Sequence, residues 1–138
     1  MNTQLSNEQI TQYEEDGFLA VRNFLSGDEV SELKQAVLET VEQMGKKKVA
    51  GGGRDMEAGD GHYDKVFTQR LNLWRINEIV NKYMLNADLG EMICQLENQE
   101  SFRVWHDQAL IKEPYGNATA WHLDNPYWSF YSKNAISI

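Results

Sequence analysis

The sequence has one cysteine and no long apolar run, which excludes disulfide-rich and helical membrane-spanning proteins. Cys94 is its single cysteine, which excludes an intramolecular disulfide and, within a helical pattern, indicates a buried structural thiol rather than a nucleophile. No stretch approaches the roughly 20 apolar residues of a membrane helix, and the N-terminus lacks the basic and apolar regions of a signal peptide. A cytoplasmic protein without a membrane partner is therefore expected.

Positive charge is also scarce. The 13 Lys and Arg residues against 21 Asp and Glu give a net charge of −8. Because affinity for nucleic acids rests on clustered Lys and Arg, no nucleic-acid partner is expected. The one basic run, residues 46–48, is typical of a solvated helix end. With 138 residues, 41% of them hydrophobic, the chain is predicted to form a single domain, residues 1–138, with one core.

The N-terminal third predicts two helices with a strand between them. A serine followed three residues later by Gln or Glu forms a capping box, which predicts helices that begin after Ser6 and Ser26. These helices are expected to end at Gly17 and Gly45. Residues 17–25 alternate enough to predict a strand. The second helix carries an apolar stripe that we expect in the core: Val30, Leu33, Val37, Leu38 and Val41.

The middle of the chain begins with a change of composition. Residues 46–61, KKKVAGGGRDMEAGDG, are too rich in glycine and charge to bury a face, which predicts a mobile surface loop that could serve as a lid. Residues 65–74 have the β-branched and aromatic content of a strand. Two helical patterns follow, at residues 76–85 and 87–96, with Asn86 between them as a break or cap. Their apolar positions are expected in the core: Ile79, Val80, Tyr83, Leu89, Met92, Ile93 and Leu96.

The last third reads as β structure. Residues 102–113 predict a long strand that is closed by a turn at residues 114–117, where proline and glycine occur. Residues 119–128 are predicted to form the next strand, interrupted near Pro126 because proline cannot donate to a ladder. Residues 132–138 look like the start of another strand.

The strand TAWHLDNPYW, residues 119–128, contains the strongest chemical signal. It places His122 and Asp124 two residues apart, and in a strand this spacing directs both side chains to the same face. A histidine and a carboxylate from one strand are two of the three ligands in a 2-His-1-carboxylate site for non-haem Fe(II). A structural pair without a metal is the alternative interpretation.

Two other pairs of histidine and aspartate are weaker candidates. His106 and Asp107 are adjacent, so in a strand their side chains point to opposite faces and chelation of one ion is disfavoured. His62 and Asp64 have the one-residue gap, but they lie at the edge of the glycine-rich loop, where nothing pre-organises them.

The order of several motifs carries a more specific signal than any pair of residues. FTQRLNLW, RVWHDQALIKEP, TAWHLDNPYW and NAISI follow one another, and LSNEQITQYEEDGFLAVRNFLS precedes them. In this combination the chain resembles the phytanoyl-CoA dioxygenase family of Fe(II)- and 2-oxoglutarate-dependent oxygenases over nearly its whole length. The resemblance implies an α+β fold in which N-terminal helices pack on part of a double-stranded β-helix, a jelly-roll or cupin-like closure.

The resemblance also implies a chemistry. It assigns His122 and Asp124 as ligands of Fe(II), with 2-oxoglutarate as co-substrate and a small-molecule metabolite as substrate. Related halogenases replace the carboxylate by a small residue, so Asp124 favours hydroxylation. Satisfied backbone contacts or core packing are the alternative roles for the remaining candidates. These candidates are Gln108 and His106 for the co-substrate, and Tyr127, Trp128 and Gln69 for the substrate.

Two departures from the family pattern qualify these expectations. Leu123 stands where the family commonly has glutamine, and nothing in the 138 residues matches the family's distal histidine or its 2-oxoglutarate-binding arginine. We therefore expect the N-terminal part of a longer oxygenase, incomplete at the C-terminus and inactive alone. Such a chain would be unstable alone, self-associate or be completed by another segment. A second chain, His62 or His106 could supply the third ligand. The alternatives are a non-catalytic folding or interaction module and a cupin-like metal-binding protein.

Overall fold

The computed structural model describes residues 1–51, 67–124, 126–130 and 135–138. Within these ranges the chain forms helices and one small sheet, and no helix is long and apolar enough to cross a membrane. The helices are α1 (Asn7–Asp16), α2 (Gly27–Met44), a 3-10 helix (Leu73–Arg75), α3 (Glu78–Met84) and α4 (Ala87–Glu97). The strands are β1 (Thr68–Leu71) and β2 (Gln108–Ile111).

Both predicted capping boxes are confirmed. The Ser6 hydroxyl accepts a hydrogen bond from the Gln9 backbone N–H, and the Gln9 side chain accepts one from the Ser6 N–H. Ser26 and Glu29 form the same reciprocal pair at the start of α2. Gly17 ends α1 in the left-handed conformation, with φ at 75°, as a glycine cap does. These helix ends are therefore determined by neighbouring residues.

The predicted strand at residues 17–25 is wrong. The chain there is irregular, with a turn at residues 22–23 in which Asn23 has a φ of 53°. A backbone hydrogen bond from the Asn2 N–H to the Phe24 carbonyl is 2.7 Å long. Alternation of apolar residues does not make a strand without a neighbouring strand, and none pairs with this segment in the described ranges.

The core lies where α2, α3, the 3-10 helix and the sheet meet. The predicted stripe of α2 is partly wrong, because Val30 and Leu38 are 48% and 46% exposed. The buried face is rotated toward Ala36, Thr40 and Met44. Around the buried cluster pack Leu33, Val37, Val41, Trp74 and Met84. The cluster itself consists of Ala36, Met44, Ala50, Leu73, Val80 and Ala109.

The two strands pair antiparallel. Thr68 lies opposite Ile111 and Leu71 opposite Gln108. β1 ends where Asn72 takes a φ of 62° and starts the 3-10 helix, so the predicted strand at residues 65–74 is wrong for residues 72–74, and its first two residues lie outside the described ranges. Because a strand extends only as far as its partner, β2 covers four residues of the predicted strand at residues 102–113.

The predicted strands at residues 119–128 and 132–138 are not formed in their described parts. Residues 117–123 are irregular, Asp124 lies in a bend, and residues 135–138 have no regular structure. The turn after β2 is confirmed, because the Gly116 N–H donates to the Glu113 carbonyl at 3.0 Å. Helices with a two-stranded sheet confirm the α+β class. A double-stranded β-helix stays a prediction.

The beginning of the predicted loop at residues 46–61 is hydrogen-bonded to the end of β1. The Ala50 N–H donates to the Leu71 carbonyl at 2.9 Å, and the Leu71 N–H donates to the Lys48 carbonyl at 2.8 Å. Residues 52–61 lie outside the described residues, as do His62 and Asp64. The mobility of the loop stays a prediction.

The two helical patterns after β1 are confirmed as α3 and α4. Asn86 caps α4 as predicted, because its side chain accepts a hydrogen bond from the Leu89 N–H. Ile79 was expected in the core but is 36% exposed, and Ile93 and Cys94 are partly rather than fully buried. The expected core positions Val80, Tyr83, Leu89, Met92 and Leu96 are buried.

Candidate functional site

His122 and Asp124 lie side by side on the protein surface. His122 Nε2 is 3.3 Å from Asp124 Oδ1, and each side chain is 54% exposed. The two side chains lie close together, but the predicted strand that was to bring them together is not formed. The segment is irregular and bends at Asp124. The two side chains converge because of this bend.

A backbone carbonyl holds the His122 ring. His122 Nδ1 lies 2.8 Å from the Ala120 carbonyl oxygen, and because a carbonyl only accepts hydrogen bonds, Nδ1 is the donor. Nε2, the other ring nitrogen, faces Asp124 and is the one that could bind a metal. Metal-binding histidines typically use their second nitrogen in this way, which sets the orientation of the ring.

The pair fits two positions of a metal centre. Two adjacent ligands of an octahedral ion, each about 2.1 Å from it, lie about 3.0 Å apart, and the observed 3.3 Å is close to this. An imidazole nitrogen with a carboxylate oxygen is also the donor type of non-haem Fe(II) sites. In the part of the chain that the structure describes, no third His, Cys, Asp or Glu joins them.

The residues that follow Asp124 contribute aromatic rings to a cluster with two earlier residues. The Tyr127 N–H donates to the Asp124 carbonyl at 2.8 Å, which closes a turn. The Tyr127 ring lies 5.7 Å from the Trp105 ring and 6.2 Å from the His106 ring, measured between centroids. The aromatic cluster, as we call it below, consists of Trp105, His106, Tyr127, Trp128 and Phe130.

His106 belongs to this cluster rather than to the sheet. Its ring lies 4.2 Å from that of Trp105. The predicted strand at residues 102–113 would place His106 and Gln108 on one face, but His106 precedes β2 and does not share a strand face with Gln108. Both of its ring nitrogens are shielded from solvent and have no hydrogen-bond partner among the described residues. Trp128 stacks on Phe130 at 5.6 Å with an interplanar angle of 7°. Both substrate candidates, Tyr127 and Trp128, thus lie within the cluster.

Gln69 and Gln108 meet on the outer face of the sheet. Gln69 Nε2 donates to Gln108 Oε1 at 2.6 Å, an exposed cross-strand contact. Gln69 Oε1 and the Gln108 amide group can still bond to other partners. Asn72 lies where the 3-10 helix begins, and its Oδ1 is buried without a partner in the described residues.

The family model of phytanoyl-CoA dioxygenase matches residues 13–138. The chain belongs to the phytanoyl-CoA dioxygenase family. Neither the comparison with curated proteins nor that with solved structures finds a match. The resemblance seen in the order of the sequence motifs is confirmed.

In this phytanoyl-CoA dioxygenase family member, Asp107 faces the 3-10 helix. Its Oδ2 accepts a hydrogen bond from the Trp74 N–H at 3.2 Å, and its carbonyl accepts one from the Asn72 N–H at 3.1 Å. Burial raises the pKa of the Asp107 carboxyl, although the hydrogen bonds from the 3-10 helix oppose the shift. Asp107 and His106 therefore occupy different surroundings.

Two contributors to the site were not predicted from the sequence. The Ala120 carbonyl orients His122, and main-chain atoms carry no residue-type signal. Trp105 has the most ring contacts in the aromatic cluster, with His106, Tyr127 and Phe130. Its position directly before His106 in the RVWHDQ motif was the available signal.

Proposed function

We propose that the chain is a dioxygenase dependent on Fe(II) and 2-oxoglutarate that hydroxylates a small-molecule metabolite. The observation that carries the proposal is the pair of His122 Nε2 and Asp124 Oδ1 at 3.3 Å, in a member of the phytanoyl-CoA dioxygenase family. The contact of His122 Nδ1 with the Ala120 carbonyl supports it, since it occupies Nδ1 and makes Nε2, on the side of Asp124, the nitrogen that would bind a metal.

His122 and Asp124 would hold the iron. When bound, Fe(II) supplies, with 2-oxoglutarate and oxygen, the oxidation of a substrate C–H bond. Asp124 adds a negative charge that favours a cation at this position. The Ala120 carbonyl keeps the His122 ring in the orientation and the tautomer that binding requires. The protein thus contributes ligands and orientation.

Other residues would contact the organic molecules. Tyr127 and Trp128, which follow the metal pair in the chain and belong to the aromatic cluster, would offer an apolar wall to one side of the substrate. Gln69 Oε1 and the Gln108 Nε2 amide group, which their mutual hydrogen bond leaves available, would bond to a polar substrate or to 2-oxoglutarate. A net charge of −8 disfavours a substrate with several phosphates, so we propose a small metabolite rather than a CoA thioester.

The third ligand and the arginine for 2-oxoglutarate need another source. The described residues bring no third metal-binding side chain to the pair. Arg70 is 8% exposed and its two terminal nitrogens donate to the Gln69 and Gly45 carbonyls, so it does not present a fork of donors to a carboxylate at the surface. We propose that residues outside the described ranges or a partner chain complete the site.

Metal binding by the 138-residue chain tests the proposal. Mn(II) is titrated into the wild type and into His122→Ala and Asp124→Ala, and free Mn(II) is measured by electron paramagnetic resonance. Each substitution should weaken Mn(II) binding at least about tenfold, because loss of an outer partner alone costs that much. Glu113→Ala removes an exposed carboxylate at the turn after β2 and should leave the affinity unchanged. Equal affinity in all four proteins would remove both residues from the site.

The alternative functions are distinguished by 2-oxoglutarate. Calorimetric titration of the Mn(II)-loaded chain with 2-oxoglutarate should show binding if the chain is an oxygenase. Metal binding without 2-oxoglutarate binding would favour a cupin-like metal-binding protein. Binding of neither would favour a non-catalytic folding or interaction module.

A further inference from the structure

The segment that carries the metal pair is joined to the rest of the protein through side chains. In the described ranges, the hydrogen bonds of residues 117–130 connect members of this segment to one another. Its ring contacts with the remainder of the described chain are made by Tyr127 and Phe130. Aromatic contacts therefore connect the segment of His122 and Asp124 to the remainder of the described chain.

Trp105 makes most of this packing. Its ring lies 5.0 Å from that of Phe130 at an interplanar angle of 88°, an edge-to-face contact. It lies 5.7 Å from the Tyr127 ring at 60°. Tilted and edge-to-face pairs at these distances are attractive beyond their buried area. Trp105 thus contacts the segment at two residues after Asp124, Tyr127 and Phe130.

The backbone beside Trp105 is itself held in place. Two residues later, the Asp107 carbonyl accepts a hydrogen bond from the Asn72 N–H, and the Asp107 carboxylate accepts one from the Trp74 N–H. Leu73, between these two donors, is 1% exposed and belongs to the core. Trp105 therefore projects from a backbone that is tied to the folded core.

We infer that Trp105 is a positioning residue for the metal pair, an inference that rests on the proposed function. It holds the Tyr127 ring, and the hydrogen bond from the Tyr127 N–H to the Asp124 carbonyl passes this constraint to Asp124. Trp121 provides the contrast, because it adjoins His122 in the sequence but is 104% exposed. Proximity in the chain does not make a tryptophan part of this arrangement.

Mn(II) affinity of substituted full chains tests the inference. Trp105→Ala should raise the Mn(II) dissociation constant about tenfold, the lower end of the effect of removing a residue that orients metal ligands. Trp105→Phe keeps an aromatic ring and should stay within about twofold of the wild type. Trp121→Ala, the matched control, should not change the constant. A folded Trp105→Ala protein that binds Mn(II) as the wild type does would overturn the inference.

A second variant, Phe130→Ala, tests the inference if Trp105→Ala does not fold. Circular dichroism and thermal melting establish whether Trp105→Ala is folded; if it is not, Phe130→Ala decides. Phe130→Ala removes one of the Trp105 contacts from the side of the segment and should weaken Mn(II) binding about threefold. Unchanged affinity in that variant would refute the role of Trp105. A wild type that does not bind Mn(II) contradicts the proposed function instead.

Discussion

Asn77 connects α2 and α3 through buried polar groups, and its removal is a sharp test of the fold. Its Oδ1 accepts hydrogen bonds from the Ile79 and Val80 N–H groups, at 2.9 and 3.0 Å, and so caps α3. Its Nδ2 donates to Thr40 Oγ1 at 2.8 Å. The Thr40 hydroxyl donates in turn to the Ala36 carbonyl at 2.6 Å, and Thr40 is 1% exposed.

The free energy of unfolding should fall by about 3 kcal/mol in Asn77→Ala. Loss of a helix cap costs about 1 kcal/mol, and a buried acceptor left without its donor, here Thr40 Oγ1, costs about 2 kcal/mol. Thr40→Val alone should cost about 2 kcal/mol, because Asn77 Nδ2 then keeps only a 3.4 Å contact with the Ala36 carbonyl. The double variant should be less destabilised than the sum by about 1 kcal/mol, since both changes remove the same hydrogen bond.

Urea denaturation followed by far-ultraviolet circular dichroism gives these free energies by linear extrapolation. Asn86→Ala is the matched control, because Asn86 caps α4 through the Leu89 N–H and has no further side-chain hydrogen bond among the described residues. It should cost about 1 kcal/mol. If Asn77→Ala costs no more than Asn86→Ala, or if the Asn77 and Thr40 effects add without coupling, the buried connection contributes nothing and the reasoning is refuted.

Two further predictions concern stability. Gly51 has a φ of 79°, and a Cβ there would lie 2.7 Å from Arg75 Cδ, so Gly51→Ala should lower the free energy of unfolding by about 2 kcal/mol, whereas Gly27→Ala, with open space around it, should not. Equal melting temperatures of these two variants would contradict this. Burial and the hydrogen bond to Glu97 raise the pKa of Tyr13 to about 12. The folded state therefore favours the protonated phenol. The contribution of Tyr13 to the free energy of unfolding is complete below a pH of about 10, the pKa in the unfolded chain, and is lost as the pH rises toward 12. Tyr13→Phe should flatten the decline of stability over this range, and a decline identical to that of the wild type would exclude Tyr13 as its cause.

Features that depend on neighbouring residues were predictable from the sequence. The capping boxes at Ser6 and Ser26 and the cap at Asn86 join groups three residues apart, so local spacing is enough to specify them. The family was also predictable, because the order of its motifs survives in the sequence whatever their local conformation.

Strands were the main error, because a strand needs a partner that its own residues do not identify. Residues 17–25 and 119–128 alternate or carry β-forming residues, but neither pairs in the described ranges. Residues 102–113 form a strand only where β1 lies alongside. Pairing of this kind is decided by the rest of the fold.

The candidate site shows the same division between sequence and tertiary structure. The sequence by itself determined the residue types, His122 and Asp124, that can bind a metal at this spacing. Only the tertiary structure decided that a bend and the Ala120 carbonyl, rather than a strand face, bring these side chains to 3.3 Å. It also decided that Trp105 reaches the segment, since contacts between residues more than 20 positions apart depend on how the whole chain packs.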